Sequence, residues 1–150
     1  MKKSDRIRDL VQQYASESNP VHDPRYTGYF ACFNDQQYYE AHDVLEDLWL
    51  RETGKNHAYF KGLIQLAGAF VHLQKQANRP DHPKDGRRLR PAVRLFQLAI
   101  RNLEDFQPSH LDFDVQRALT LANGYISAIE SSEFTRNPWD PAHAPQLNLA

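Results

Sequence analysis

His42 and Glu46 stand four residues apart in a stretch with helical periodicity, and Trp49 follows three residues later. At about 100° per residue the three share one helix face, so an imidazole, a carboxylate and an indole can meet around one point. An imidazole beside a carboxylate can move a proton or hold a divalent cation. A zinc site generally takes at least three protein ligands. The further candidates are His72, Asp43, or the same residues of a second chain across a dimer axis, which would make the protein a homo-oligomer. Tyr39, Leu45 and Leu50 edge this face. It therefore reads as largely apolar and inward, with the two polar groups embedded in it and Asp43 and Asp47 nearer solvent.

Two helices must position this group. Asn34, a preferred cap with Gln37 three residues on, predicts a helix over residues 35–51. Residues 53–56 end it, with Gly54 suited to a left-handed conformation after the last turn. The next helix, residues 57–77, is apolar around nearly its whole circumference and so belongs in the centre. Its exception is a stripe of Lys61, Gln65, Gly68 and His72. The short turn makes the two helices antiparallel neighbours. Reflection about residue 54 then sets His42 opposite about residue 66, Glu46 opposite about residue 62 and His72 near residue 36. A buried polar group without a partner costs about 1–3 kcal/mol, so two sparse polar stripes are expected to satisfy each other. Gln65, Trp49, Tyr39 and Lys61 accordingly line the expected site.

The remaining periodicity predicts a first helix over residues 4–17 with Ile7, Leu10, Val11 and Tyr14 on one face, a loop over 18–24, and a short helix over 25–32. Residues 78–83 form a second loop. A helix to about residue 106 follows, starting near Lys84 or Arg90 according to where Pro91 sits. A last helix over 113–131 is capped by Asp112. No segment alternates as a strand. The fold class is all-α: a compact bundle of five to six helices around a central antiparallel hairpin, with residues 1–133 as the helical domain. Residues 134–150 read as a Pro-rich tail, lying along the surface or disordered and anchored at Trp139.

Composition narrows the classes. A chain of 150 residues that is 41% hydrophobic, with two Trp, seven Tyr and eight Phe, supports one packed core. A net charge of −1 gives no global field toward DNA, RNA or anionic lipid, so a nucleic-acid role would need a local patch. The longest apolar stretch, residues 63–73, is too short to span a bilayer. A lone Cys32 makes no internal disulfide, and the N-terminus lacks a secretory apolar core, so the cytoplasm is the expected location.

The run from Phe33 through His42 and Glu46 to Trp49, followed by residues 59–67, resembles domain-of-unknown-function family 309, small helical proteins of bacteria and archaea. The family's His-x-x-x-Glu-x-x-Trp/Tyr motif is matched by His42, Glu46 and Trp49, and its Gly-Leu-Ile-Gln segment by Gly62 to Gln65. The resemblance covers about residues 28–106. Asp43 stands where the family pattern has Glu. The resemblance implies a metal-binding motif, and some members carry a metal-dependent-hydrolase label.

Four readings stay open. His42, Glu46 and Gln65 could form a structural network that locks the hairpin. They could hold a divalent metal with a bound water for hydrolysis. They could do metal-free acid–base chemistry or bind a small ligand between helices. From a different class, Arg79, Lys84, Arg87, Arg88, Arg90, Arg94 and Arg101 could bind an acidic partner or nucleic acid as a non-catalytic interaction module.

Overall fold

Asp23 and Pro24 show how the chain turns into its packed part: Asp23 accepts from the Arg25 amide at 2.8 Å, and Pro24 supplies a pre-set first turn. A computed structural model describes residues 2–15 and 22–150. Its helices are α1 (Lys3–Ala15), α2 (Pro24–Asn34), α3 (Tyr38–Trp49), α4 (Asn56–Asn78), α5 (Leu89–Leu103) and α6 (Val115–Ser131). Of the loop expected over residues 18–24, residues 18–21 lie outside the described residues, as does the end of the first helix, and Pro24 already belongs to α2. Two-residue strands β1 (Ser109–His110) and β2 (Phe113–Asp114), which the sequence reading did not include, pair as a hairpin before α6. Leu111 and Asp112 both take positive φ, which a two-residue hairpin loop of the primed type requires.

The expected central helix is central. α4 packs against α3 on one side and α5 on the other, α5 packs on α6, and α1 lies across α2 and α3. Tyr29, Phe33, Tyr38, Tyr59, Phe70 and Phe96 are fully buried around it. Their rings meet mostly edge to face, as quadrupoles prefer. Each buried phenol has a partner. Tyr29 donates to the Leu63 carbonyl at 2.6 Å, Tyr26 and Tyr59 share a 2.7 Å hydrogen bond, and Tyr38 accepts from the Trp139 indole at 3.1 Å. Burial pushes the phenols of Tyr26, Tyr29 and Tyr59 well above the usual range, so they stay neutral. At Gly62 a Cβ would lie 2.7 Å from Leu103 Cγ, so glycine sets how closely α4 and α5 approach.

Several local expectations need correcting. Asn34 ends α2 rather than capping α3. Its amide instead donates to the Leu147 carbonyl at 2.9 Å and its oxygen accepts from the Leu147 amide at 2.7 Å. Gln37 stands at the α3 N-cap without a side-chain cap bond. Gly54 is not left-handed; the Glu52 carboxylate takes its N–H at 2.9 Å and closes the turn. Asp114, not Asp112, caps α6, accepting from the Arg117 amide at 3.0 Å. α5 starts at Leu89, which puts Pro91 in its first turn and excludes a start near Lys84. The tail is packed: Trp139 and Leu147 are buried, and Leu149 bridges Phe113. No helix among the described residues is long and apolar enough to cross a membrane.

Candidate functional site

Tyr38, Ala41, Val44 and Leu45 form the buried stripe of α3. Relative to Ala41, helix geometry turns Glu46 to about 140°, Tyr39 to about 160°, Leu50 to about 180° and Asp43 to about 200°. The face expected to point inward is therefore split: Leu45 is buried, His42 at about 100° and Trp49 at about 80° lie on the flank, and the rest points outward. Tyr39 is 51% exposed and Leu50 68%. The side chains of His42 and Glu46 keep 31% and 27% of their exposure. Asp43 shares this outer face, yet its side chain is only 1% exposed, because side chains of α1 close over it.

The cluster is built around Asp43. Its Oδ1 accepts from His42 Nδ1 at 3.1 Å, and Arg6 of α1 pairs with its Oδ2. A carboxylate only accepts, so Nδ1 donates in this contact. That Nε2 faces Glu46 Oε2 at 3.8 Å. Lys3 bonds Glu46 Oε1 at 2.8 Å and lies 3.7 Å from Asp43, so α1 supplies two cations three residues apart. The hydrogen bond to Glu46 and the nearby carboxylates raise the Lys3 ammonium pKa above its usual value. The Arg6 guanidinium also lies 5.5 Å from the Tyr39 ring centroid, and that ring stacks 6.3 Å from His42. Asp47 lies on the solvent side as expected, paired with Arg25 at 2.8 Å.

The polar stripe of α4 goes elsewhere. Gln65 Oε1 accepts from Asn102 of α5 at 2.7 Å. His72 Nδ1 lies 3.2 Å from Arg88 Nη1. A guanidinium only donates, so Nδ1 is the acceptor and the ring is neutral. Burial, then the charges of Arg88 and Lys75, push the His72 pKa down to about 4. Lys61 sits 5.7 Å over the Trp49 ring, which also contacts His57 at 4.9 Å. The Trp49 indole N–H is buried without a hydrogen-bond partner. The two stripes thus do not satisfy each other: α3 turns its polar groups toward α1, and α4 turns Gln65 and His72 toward α5. The residues that sequence reasoning missed are Lys3, Arg6 and Asn102. Their only signals were two cations at helical spacing and an amide on the inner side of an Arg-rich helix.

Among the described residues no group of three or more His, Cys, Asp or Glu side chains is arranged to hold a metal ion. Comparisons with the curated proteins and with the solved structures return no match. The profile of one family matches residues 26–80, a segment that runs from α2 to the end of α4 and stops short of the expected residue 106. Lys3, Arg6 and Asn102 all fall outside it. Over α2, α3 and α4, with His42, Glu46 and Trp49 among the matched residues, this chain is similar to the family described as Domain of unknown function (DUF309).

Proposed function

We propose that the chain is a non-catalytic helical interaction module, and that the His42–Asp43–Glu46 cluster is a notch for basic side chains, filled here by its own α1. The observation that carries this is the state of Asp43. Its side chain is 1% exposed, and two cations and an imidazole from three separate positions converge on it. A carboxylate taken from water needs such partners, and removing one leaves the others uncompensated. The notch therefore fixes how α1 lies on α3. Asp43→Asn keeps the shape and removes the charge. It is expected to raise amide exchange in residues 2–15 about tenfold or more while α3, α4 and α5 keep their protection. Unchanged exchange in α1 would refute the latch.

One observation favours a second reading. Asp43 orients the His42 ring through Nδ1, and the other ring nitrogen, Nε2, lies 3.8 Å from Glu46 Oε2. Metal-ligating histidines are oriented by carboxylates in this way. On that reading His42 and Glu46 would hold a divalent metal in the place Lys3 now takes, and the metal would supply Lewis-acid chemistry for hydrolysis. Elemental mass spectrometry of untagged protein purified without chelator separates the two. Stoichiometric metal lost in His42→Ala and Glu46→Ala would establish the metal centre. No uptake by wild type or by a Lys3→Ala variant, after exposure to zinc, manganese and iron, would leave the latch.

A further inference from the structure

Arg6, Arg25, Arg79 and Arg88 each pair with a carboxylate. On α5 the pattern reverses. Arg90, Arg94 and Arg101 lie within about 40° of one another on its outer face and span about 16 Å of helix axis. Arg87 precedes them. All four are exposed, and none forms an ion pair among the described residues. Arg101 leaves Glu104 and Asp105, three and four residues on, without it. The opposite face of α5 is fully used, with Ala92, Val93, Phe96 and Ala99 buried. The arginines are therefore the free surface of a helix whose other side is fixed.

This row continues into two clefts that share Gln76. One, of about 340 Å³, is lined by Arg87, Arg90, Glu133 and Phe134. The other, of about 710 Å³, carries Arg136 on its wall. Glu133 and Phe134 both hold positive φ, 56° and 60°, which side chains with a Cβ rarely adopt. That backbone sets the Phe134 ring 4.3 Å from the Arg90 guanidinium. The ring packs against the core on its other side and so fixes where the Arg90 guanidinium points, and a row of guanidiniums so held follows a phosphate backbone. The cations are guanidiniums, which grip phosphate through two parallel N–H donors and stack on bases; an acidic peptide would be served equally by lysine.

From this juxtaposition we propose that the outer face of α5, from Arg101 through Arg94 and Arg90 to the cleft holding Phe134, binds a single-stranded nucleic acid by its phosphodiester backbone. This surface is on the far side of α4 from the α1 notch and stands independently of it. The test is fluorescence anisotropy of the full chain with labelled oligothymidylate and oligouridylate of about 12 nucleotides at low salt. A duplex of the same length is run beside them, with polyglutamate as competitor. Binding of either single strand is expected, with log K falling by about 0.7 per phosphate contact for each decade of salt. The ratio of the two affinities tells DNA from RNA. Arg94→Glu/Arg101→Glu, both exposed, is expected to weaken Kd about tenfold or more while circular dichroism and Tm stay those of wild type. Arg90→Glu repeats the test at the cleft. No anisotropy change at low salt, equal affinity in the charge-reversed variants, tighter binding of duplex, or equally effective displacement by polyglutamate would each overturn the proposal.

Discussion

On α3, Asp43 and Glu46 take cations from α1; on α4, Gln65 and His72 take hydrogen bonds from α5. The two stripes differ in what surrounds them. α4 lies between α3 and α5, and its Gln65 and His72 are neutral groups with one hydrogen-bond partner each. The α3 cluster lies on the outer face of its helix, where charge is tolerable. It is covered by a helix that shares far less surface with the rest of the bundle. The first arrangement depends on burial and should be insensitive to salt. The second depends on charge and should fail locally, leaving the bundle intact.

The sharpest way to break this contrast is to damage the interior. Phe70 is fully buried on α4 and touches Phe33, Tyr38, Phe96 and Tyr125 at centroid distances of 5.1–5.3 Å. It thereby joins α2 and α3 to α5 and α6. Phe70→Ala is expected to cost about 3–5 kcal/mol in denaturant unfolding and to lower Tm by about 10 °C or more. A loss under about 1 kcal/mol would mean that the interior is not the cooperative unit and that the contrast is misdrawn.

His72 sharpens the interior side of the comparison through pH. Its pKa is held at about 4 in the folded chain, against about 6.5 when unfolded. Between those values the unfolded chain binds a proton that the folded chain does not. Stability therefore rises with pH across this window and is lost as pH falls from about 6.5 toward 4. Because the ring is only partly buried, the loss should be smaller than full linkage gives, of order 1–2 kcal/mol. His72→Gln keeps an acceptor for Arg88 and should flatten the slope. Urea unfolding of both proteins at a series of pH values between 7 and about 4.5 reads it. Equal slopes would show that His72 carries no proton linkage.

The difference between the two stripes also marks how far the sequence could be read. The helices of the bundle, the central place of α4 and the turn before it follow from the 3.6-residue period of residues such as Leu63, Leu66, Phe70 and Leu73. The rotation of α3 does not follow from the motif His42, Glu46 and Trp49, which lies on the flank of the helix. The stripe Tyr38, Ala41, Leu45 and Leu48 was present and runs at the spacing of a core face. Asp43 is buried by residues some 40 positions away, which no local pattern encodes. The tail resisted for a related reason. Trp139 and Leu147 are held one at a time, by Tyr38 and Asn34, and single anchors leave no periodicity. Gln65 and His72 stand out in the sequence as polar exceptions on an apolar helix, but the hairpin reflection offers only α3 as a neighbour, although α4 also packs on α5.

The smallest expected effect tests the charged side. Lys3 is 53% exposed and reaches Glu46 at 2.8 Å, in a pair that solvent and salt both screen. Lys3→Ala should therefore change global stability by less than about 0.5 kcal/mol. Adding salt to wild type should have the same local result as the substitution. Both should speed amide exchange in α1 modestly, and salt should have little further effect on the variant, because the interaction it screens is already gone. Arg6, paired with the buried Asp43, should keep most of its hold in salt. If salt loosens α1 as much in Lys3→Ala as in wild type, the salt-sensitive contact is Arg6–Asp43, and burial would not be protecting that pair as its 1% exposure implies.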